Sequence, residues 1–143
     1  MFDRLFGKKQ TRILVADDDY MVRSLVSDVL KTQGYEVDTV EDGLEAINSV
    51  RKNPYDLVIL DVHMPRMEGT EALEVIRLMP EGKKLGVIML TSDNLAGTLI
   101  KSYELGAISY MPKPFSSAQL IGKVRAYLEN KKKPQAGKGP TSG

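Results

Sequence analysis

A chain of 143 residues with 20 Lys and Arg against 19 Asp and Glu is long enough for one core of ordinary domain size. Its near-neutral balance removes any global electrostatic reason to expect nucleic acid or an acidic surface as a direct partner. The absence of cysteine excludes disulfides, thiolate metal ligands and a cysteine nucleophile and suits a reducing compartment, and no apolar run approaches the ~20 residues of a membrane span, so a soluble, cytoplasmic protein is expected.

In chain order, residues 1–11 form an N-terminal extension in which Phe2, Leu5 and Phe6 stand beside Lys8 and Lys9, the pattern of a frayed or loosely packed terminus. From Arg12 onward short apolar runs alternate with longer segments of helical period, which predicts a parallel sheet crossed by helices in an α/β domain over residues 12–130. The first strand is "RILVA" (12–16); three aspartates follow it, then a helix with Val22, Leu25, Val26, Val29 and Leu30 as its core-facing stripe and Gly34 as its stop. The second strand is "EVDTV" (36–40), and its helix carries Leu44, Ile47 and Val50. "DLVIL" (56–60) leads into Asp61 and the loop "VHMPRMEG", then a helix with Leu73 and Ile76. "LGVIML" (85–90) leads into Thr91 and Ser92, and the helix that follows, from about Asn94 to Leu105, has Gly97 near its start and only Leu95, Leu99 and Leu105 as anchors. It is predicted to be the least firmly held. "AISYM" (107–111) leads into Pro112, Lys113 and Pro114 and a last helix with Leu120, Val124 and Leu128, after which "KKKPQAGKGPTSG" (131–143) reads as a flexible tail or linker. Three of the five strands are nearly continuous apolar runs, as expected of central strands covered on both faces.

Functional groups in an open parallel sheet gather at the carboxyl ends of the strands. There this sequence places Asp17, Asp18 and Asp19, then Asp61, then Thr91, then Lys113. Helix capping accounts for one aspartate, Asp19. Asp17, Asp18 and Asp61 remain, and three carboxylates so close together need a compensating cation. Lys113 is one; a divalent metal is the other, and hard oxygen donors without thiolate or a second histidine favour Mg²⁺, with Mn²⁺ as the alternative, over zinc. A metal, an ammonium and the Thr91 hydroxyl around one point suit the three oxygens of a phosphoryl group, with Asp61 as the nucleophile that forms an acyl phosphate.

Those four ordered motifs, "ILVADDD", "DLVILDVHMPRMEG", "IMLTS" and "GAISYMPKPF", make the chain similar to the receiver domain of two-component response regulators, the CheY-like fold, over about residues 11–130. The resemblance implies a doubly wound five-stranded parallel sheet of order 2-1-3-4-5 with five helices. It implies Asp61 as phosphoacceptor, Asp17 and Asp18 as metal-site acids, the His63 backbone carbonyl as a further ligand, Thr91 as switch hydroxyl, Lys113 as phosphate-binding cation, Tyr110 as the aromatic that follows Thr91, and a cis bond between Lys113 and Pro114. The implied phosphodonor is a sensor histidine kinase or a histidine phosphotransfer protein. The implied output is a downstream protein target, through a chain that is monomeric at rest and can dimerise on phosphorylation; the alternative is a phosphate sink or relay intermediate without its own output. Two residues stand apart from the pattern: Ser92 where alanine is usual, and Asp93, which adds negative charge near the site. An aspartyl-nucleophile phosphatase would need a second acid as proton donor and a substrate cap, and a flavin binder would be coloured.

Overall fold

The computed structural model describes residues 10–92 and 95–132; the extension up to Lys9, Asp93 and Asn94 (the predicted start of the fourth helix), and the tail from Lys133 lie outside them. Alternation builds the fold: strands β1 (Arg12–Ala16), β2 (Glu36–Val40), β3 (Leu57–Asp61), β4 (Gly86–Thr91) and β5 (Ser109–Pro112) are separated by helices α1 (Tyr20–Thr32), α2 (Gly43–Lys52), α3 (Gly69–Leu78) and α4 (Ala96–Glu104), and α5 (Ser117–Lys132) closes the chain. A short 3₁₀ turn at Pro80–Gly82 follows α3. The sheet is parallel throughout, in the order β2-β1-β3-β4-β5, so the three apolar runs are central. Among the described residues no helix is long and apolar enough to cross a membrane.

Side chains on a strand alternate between faces, and in the three central strands both faces are buried. Ile13 and Val15, Leu57 and Ile59, Ile88 and Leu90, and Met111 pack with Val26, Leu30, Leu120, Val124 and Leu128 of α1 and α5. Leu14, Val58, Leu60, Val87 and Met89 pack on the other face with Ile47, Val50, Leu73 and Ile76 of α2 and α3. Helix α1 stops as expected: Gln33 and Gly34 donate to the carbonyls of Leu30 and Lys31, and Gly34 takes φ +89°, which a residue without Cβ adopts at little cost.

Three features differ from the sequence-based expectation. Leu25 and Leu44 are about half exposed. At roughly 100° per residue they fall outside the arcs set by Val26 and Leu30 in α1 and by Ala46, Ile47 and Val50 in α2. Strands β3, β4 and β5 each begin one or two residues later than predicted; at β5 the cause is local, because the N–H of Ala107 still bonds back to Ser102 O of α4. Leu95 is no anchor: it is the cap residue of α4 and is exposed.

The expected looseness of α4 has a physical basis. Its one buried residue is Ser102, which donates to Thr98 O at 2.9 Å within the helix, and its cap residue supplies no side-chain hydrogen bond. Ile100 and Tyr103 are exposed.

Candidate phosphoryl and metal site

Register and alternation assemble the site. Parallel pairing sets Ala16 beside Leu60 and Asp61 beside Leu90, so the chain leaves β1, β3 and β4 along one sheet edge. Continuing the two-residue period, Asp17 follows Ile13 and Val15, Asp61 follows Leu57 and Ile59, and Lys113 follows Met111. All three lie on the α1/α5 side. Lys113 is held beside β4 by its own N–H, which donates to Thr91 O at 2.7 Å, and the bond to Pro114 is cis.

The three groups meet. Lys113 Nζ lies 2.8 Å from Asp17 Oδ2 and 3.1 Å from Asp61 Oδ1. Asp17 and Asp61 are buried, Asp18 is exposed, and one carboxylate oxygen from each falls in a group whose members lie within 4.8 Å of one another. Asp19 caps α1, accepting from Met21 N and Val22 N, while Asp17 Oδ1 accepts from Asp19 N at 2.9 Å. Beyond the Lys113 contact, Asp17 Oδ2 has no hydrogen-bond partner although it is buried.

Three carboxylates against one ammonium leave the site short of positive charge. Burial, and then the Asp17 carboxylate, push Asp61 up to about 6, with Lys113 working the other way. Burial opposes the charge on Lys113, but Asp17 and Asp61 outweigh it and its pKa is raised. Three carboxylate oxygens within 4.8 Å of one another, two of them on buried residues and with one ammonium between them, are an excess of hard anionic donors that a divalent cation would satisfy, so the residues fit Mg²⁺.

Thr91, almost fully buried, ends β4 on the other parity, with Val87 and Met89. Tyr110 sits opposite Met89 and packs against that same α2/α3 cluster. Thr91 and Tyr110 therefore share a sheet face, while Asp17, Asp61 and Lys113 share the other.

The loop after Asp61 is held closely. Val62 N donates to Leu90 O at 2.9 Å, and Gly69 N donates to Val62 O at 2.6 Å. A Cβ on Gly69 would lie 2.1 Å from Asp61 O, so a side chain cannot fit there. The His63 ring is half exposed and its Nδ1 lies 3.0 Å from Glu68 Oε1.

Sequence reasoning missed two arginines and an aspartate. Arg23, one turn into α1, donates to Asp17 O at 2.8 Å and so steadies the backbone of the acidic turn. Arg66, in the β3–α3 loop, pairs with Asp42, the cap of α2. Asp42 was legible as a cap, since it precedes a helical run and Glu45 lies three residues on; its pairing with Arg66 spans 24 positions and leaves no local signal.

Residues 13–125 match the family model for the response regulator receiver domain. A curated relative, response regulator MprA of Mycobacterium sp. (strain KMS), is 38% identical over 117 residues, 82% of this chain and 50% of the relative. The chain thus spans about half the length of the curated relatives it matches. Among solved structures, chemotaxis protein CheY4 of Vibrio cholerae is 31% identical with TM-score 0.79, covering 82% of this chain and 98% of that one. The receiver domain of sensor histidine kinase PA1611 of Pseudomonas aeruginosa PAO1, solved with magnesium coordinated in its active-site cleft, is 27% identical with TM-score 0.78, over 85% of this chain and 99% of that one.

Proposed function

This chain belongs to the response regulator receiver domain family, and on that premise we propose that it is a phosphorylation switch. Asp61 takes a phosphoryl group from the histidine of a sensor histidine kinase or histidine phosphotransfer protein, and the signal leaves through a protein partner. One observation carries the reading: Lys113 Nζ bridges Asp17 Oδ2 and Asp61 Oδ1, which leaves a buried carboxylate facing a cation at the edge where all the candidate groups emerge. An oxygen of Asp61 attacks phosphorus; the new O–P bond forms as the P–N bond to the donor histidine breaks, and the electron pair departs with the imidazole nitrogen. Lys113 then faces a phosphoryl oxygen, and the Thr91 hydroxyl donates to another. Mg²⁺, held by Asp17, Asp18, Asp61 and the His63 carbonyl, would supply charge neutralisation at the remaining oxygens, and the same donors suit Mn²⁺. We assign the chain to the cytoplasm, as a monomer at rest.

The test uses a small donor. Incubated with acetyl phosphate and Mg²⁺, the chain is expected to gain one phosphoryl group by intact mass, and excess chelator is expected to suppress the product at least about tenfold. Equal labelling in chelator would remove the metal from the account.

A switch differs from a sink in what moves. Helix α4 has little to hold it, so phosphorylation should shift it first, with Tyr110 following Thr91 on their shared face. Amide exchange with and without beryllofluoride, a mimic of the phosphoryl group, is expected to change across residues 95–116. Changes confined to residues 61–69 would favour the phosphate sink.

A further inference from the structure

Arg66 is the one described residue other than glycine with a positive φ, at 70°. A side chain in the left-handed region is strained, and such strain persists only where the surroundings fix it. Glycine would take this backbone freely but offers no cation. The Arg66 guanidinium reaches out of the loop to the Asp42 carboxylate, which is buried at the start of α2 and also accepts from Glu45 N at 2.9 Å. Burial pushes Asp42 up, but the Glu45 N–H and Arg66 outweigh it and hold the carboxyl below its ordinary range. A second contact seats the same loop on the same helix end: a Cβ on Gly43 would stand 3.1 Å from Met67 Cβ and from Ala72 Cβ, so the start of α2 presses directly on the loop. At its other end the loop is fixed to Asp61 by Gly69. The segment between these anchors contains His63.

We propose that Arg66 is a positioning residue for the cation site: latched onto buried Asp42, it holds the 62–68 loop against the start of α2 and so fixes the His63 carbonyl and Asp61 relative to Asp17 and Asp18. The inference rests on the cation reading given above and assigns a second element, the β2–α2 turn, to the same chemistry. Groups that orient metal ligands from outside the coordination shell commonly change affinity by tenfold or more when removed.

Three variants of the full chain separate positioning from stability. Arg66→Ala keeps the backbone demand and loses the cation; Arg66→Gly loses both; Arg66→Lys keeps the charge without the fork. Mg²⁺ dissociation constants are measured by calorimetric titration, and melting temperatures and amide exchange of residues 62–69 are measured in chelator. Arg66→Ala and Arg66→Gly are expected to weaken Mg²⁺ binding by similar factors, about tenfold, and to speed exchange in the loop, with part of the affinity restored in Arg66→Lys. Arg66→Gly should melt higher than Arg66→Ala, because glycine relieves the backbone, so affinity and melting temperature part company. With Asp42→Asn measured alone and combined with Arg66→Gly, the double variant should bind Mg²⁺ no more weakly than the worse of those two single variants. Wild-type affinity in Arg66→Gly, or an affinity loss that tracks melting temperature across the variants, would overturn the latch while leaving the cation site intact. No Mg²⁺ binding by the unaltered chain would sink the cation site, and the latch with it.

Discussion

Asp61→Asn is expected to take no phosphoryl group from acetyl phosphate or from a kinase and, in chelator at neutral pH, to melt above the unaltered chain. The first result follows because an amide oxygen is a far weaker nucleophile than a carboxylate. The second follows from the charge. Asp61 is 3% exposed, and burial with the neighbouring Asp17 lifts it from 3.8 to about 6. A carboxyl whose folded pKa lies above its unfolded value binds a proton more tightly in the fold. Its contribution is therefore full below the unfolded value and is lost as pH rises through about 6. Above that pH the ionised form costs about 1–3 kcal/mol at roughly 1.4 kcal/mol per unit, and asparagine keeps the volume without the charge. The melting temperature should rise on the order of 5 °C at pH 7, and the two proteins should converge below about pH 4. A variant that melts lower at pH 7 would mean that the Lys113 attraction outweighs burial and the Asp17 repulsion.

Gly69→Ala should destabilise the fold and impair labelling together. The added Cβ would meet Asp61 O at 2.1 Å, Asp61 C at 2.9 Å and Val62 Cα at 3.0 Å. These are backbone atoms at the end of β3 and in the residue that follows it, and they cannot swing aside as the end of a side chain can. Overpacking of this kind costs about 1–3 kcal/mol and occasionally more, and here the upper end is expected, because the closest contact is with a backbone carbonyl; labelling should fall as well, because that carbonyl belongs to the residue proposed to carry the phosphoryl group. Gly97→Ala is the control: nothing lies within 4 Å of its added Cβ, and alanine favours a helix over glycine by up to about 1 kcal/mol. Urea unfolding should place the two variants on opposite sides of the unaltered chain. Equal stability of Gly69→Ala and the parent would show that the 61–69 backbone yields easily, against the close seating described above.

Much of this was legible in the sequence because apolar periodicity is a local signal. "RILVA" and "EVDTV" fall on their strands residue for residue, and the three apolar runs became the centre of the sheet because only strands covered on both faces can be apolar on both parities. The convergence of Asp17, Asp61 and Lys113 was likewise readable from strand ends. What the ends alone did not convey was parity: counting in twos from Ile13, Leu57 and Met111 puts these three on one face, and counting from Val87 puts Thr91 with Tyr110 on the other. Leu25 and Leu44 misled because an apolar residue at nearly the right spacing can still lie outside the buried arc. The Arg66–Asp42 pair and Arg77 were illegible for another reason. Arg77 donates to the carbonyls of Gly82, Leu85, Leu105 and Gly106, tying α3 to the turn after α4. A single arginine shows no pattern in sequence, and its partners become neighbours only once the sheet has brought the helices together.

An acyl phosphate on Asp61 can be trapped chemically. Reduction with borohydride after brief exposure to acetyl phosphate and Mg²⁺ converts a phosphorylated aspartate to homoserine, and the modified peptide can be sequenced by mass spectrometry. Homoserine is expected at position 61, absent when the donor is omitted; homoserine at Asp17 or Asp18 with position 61 unchanged would mean that Asp61 is not the phosphoacceptor.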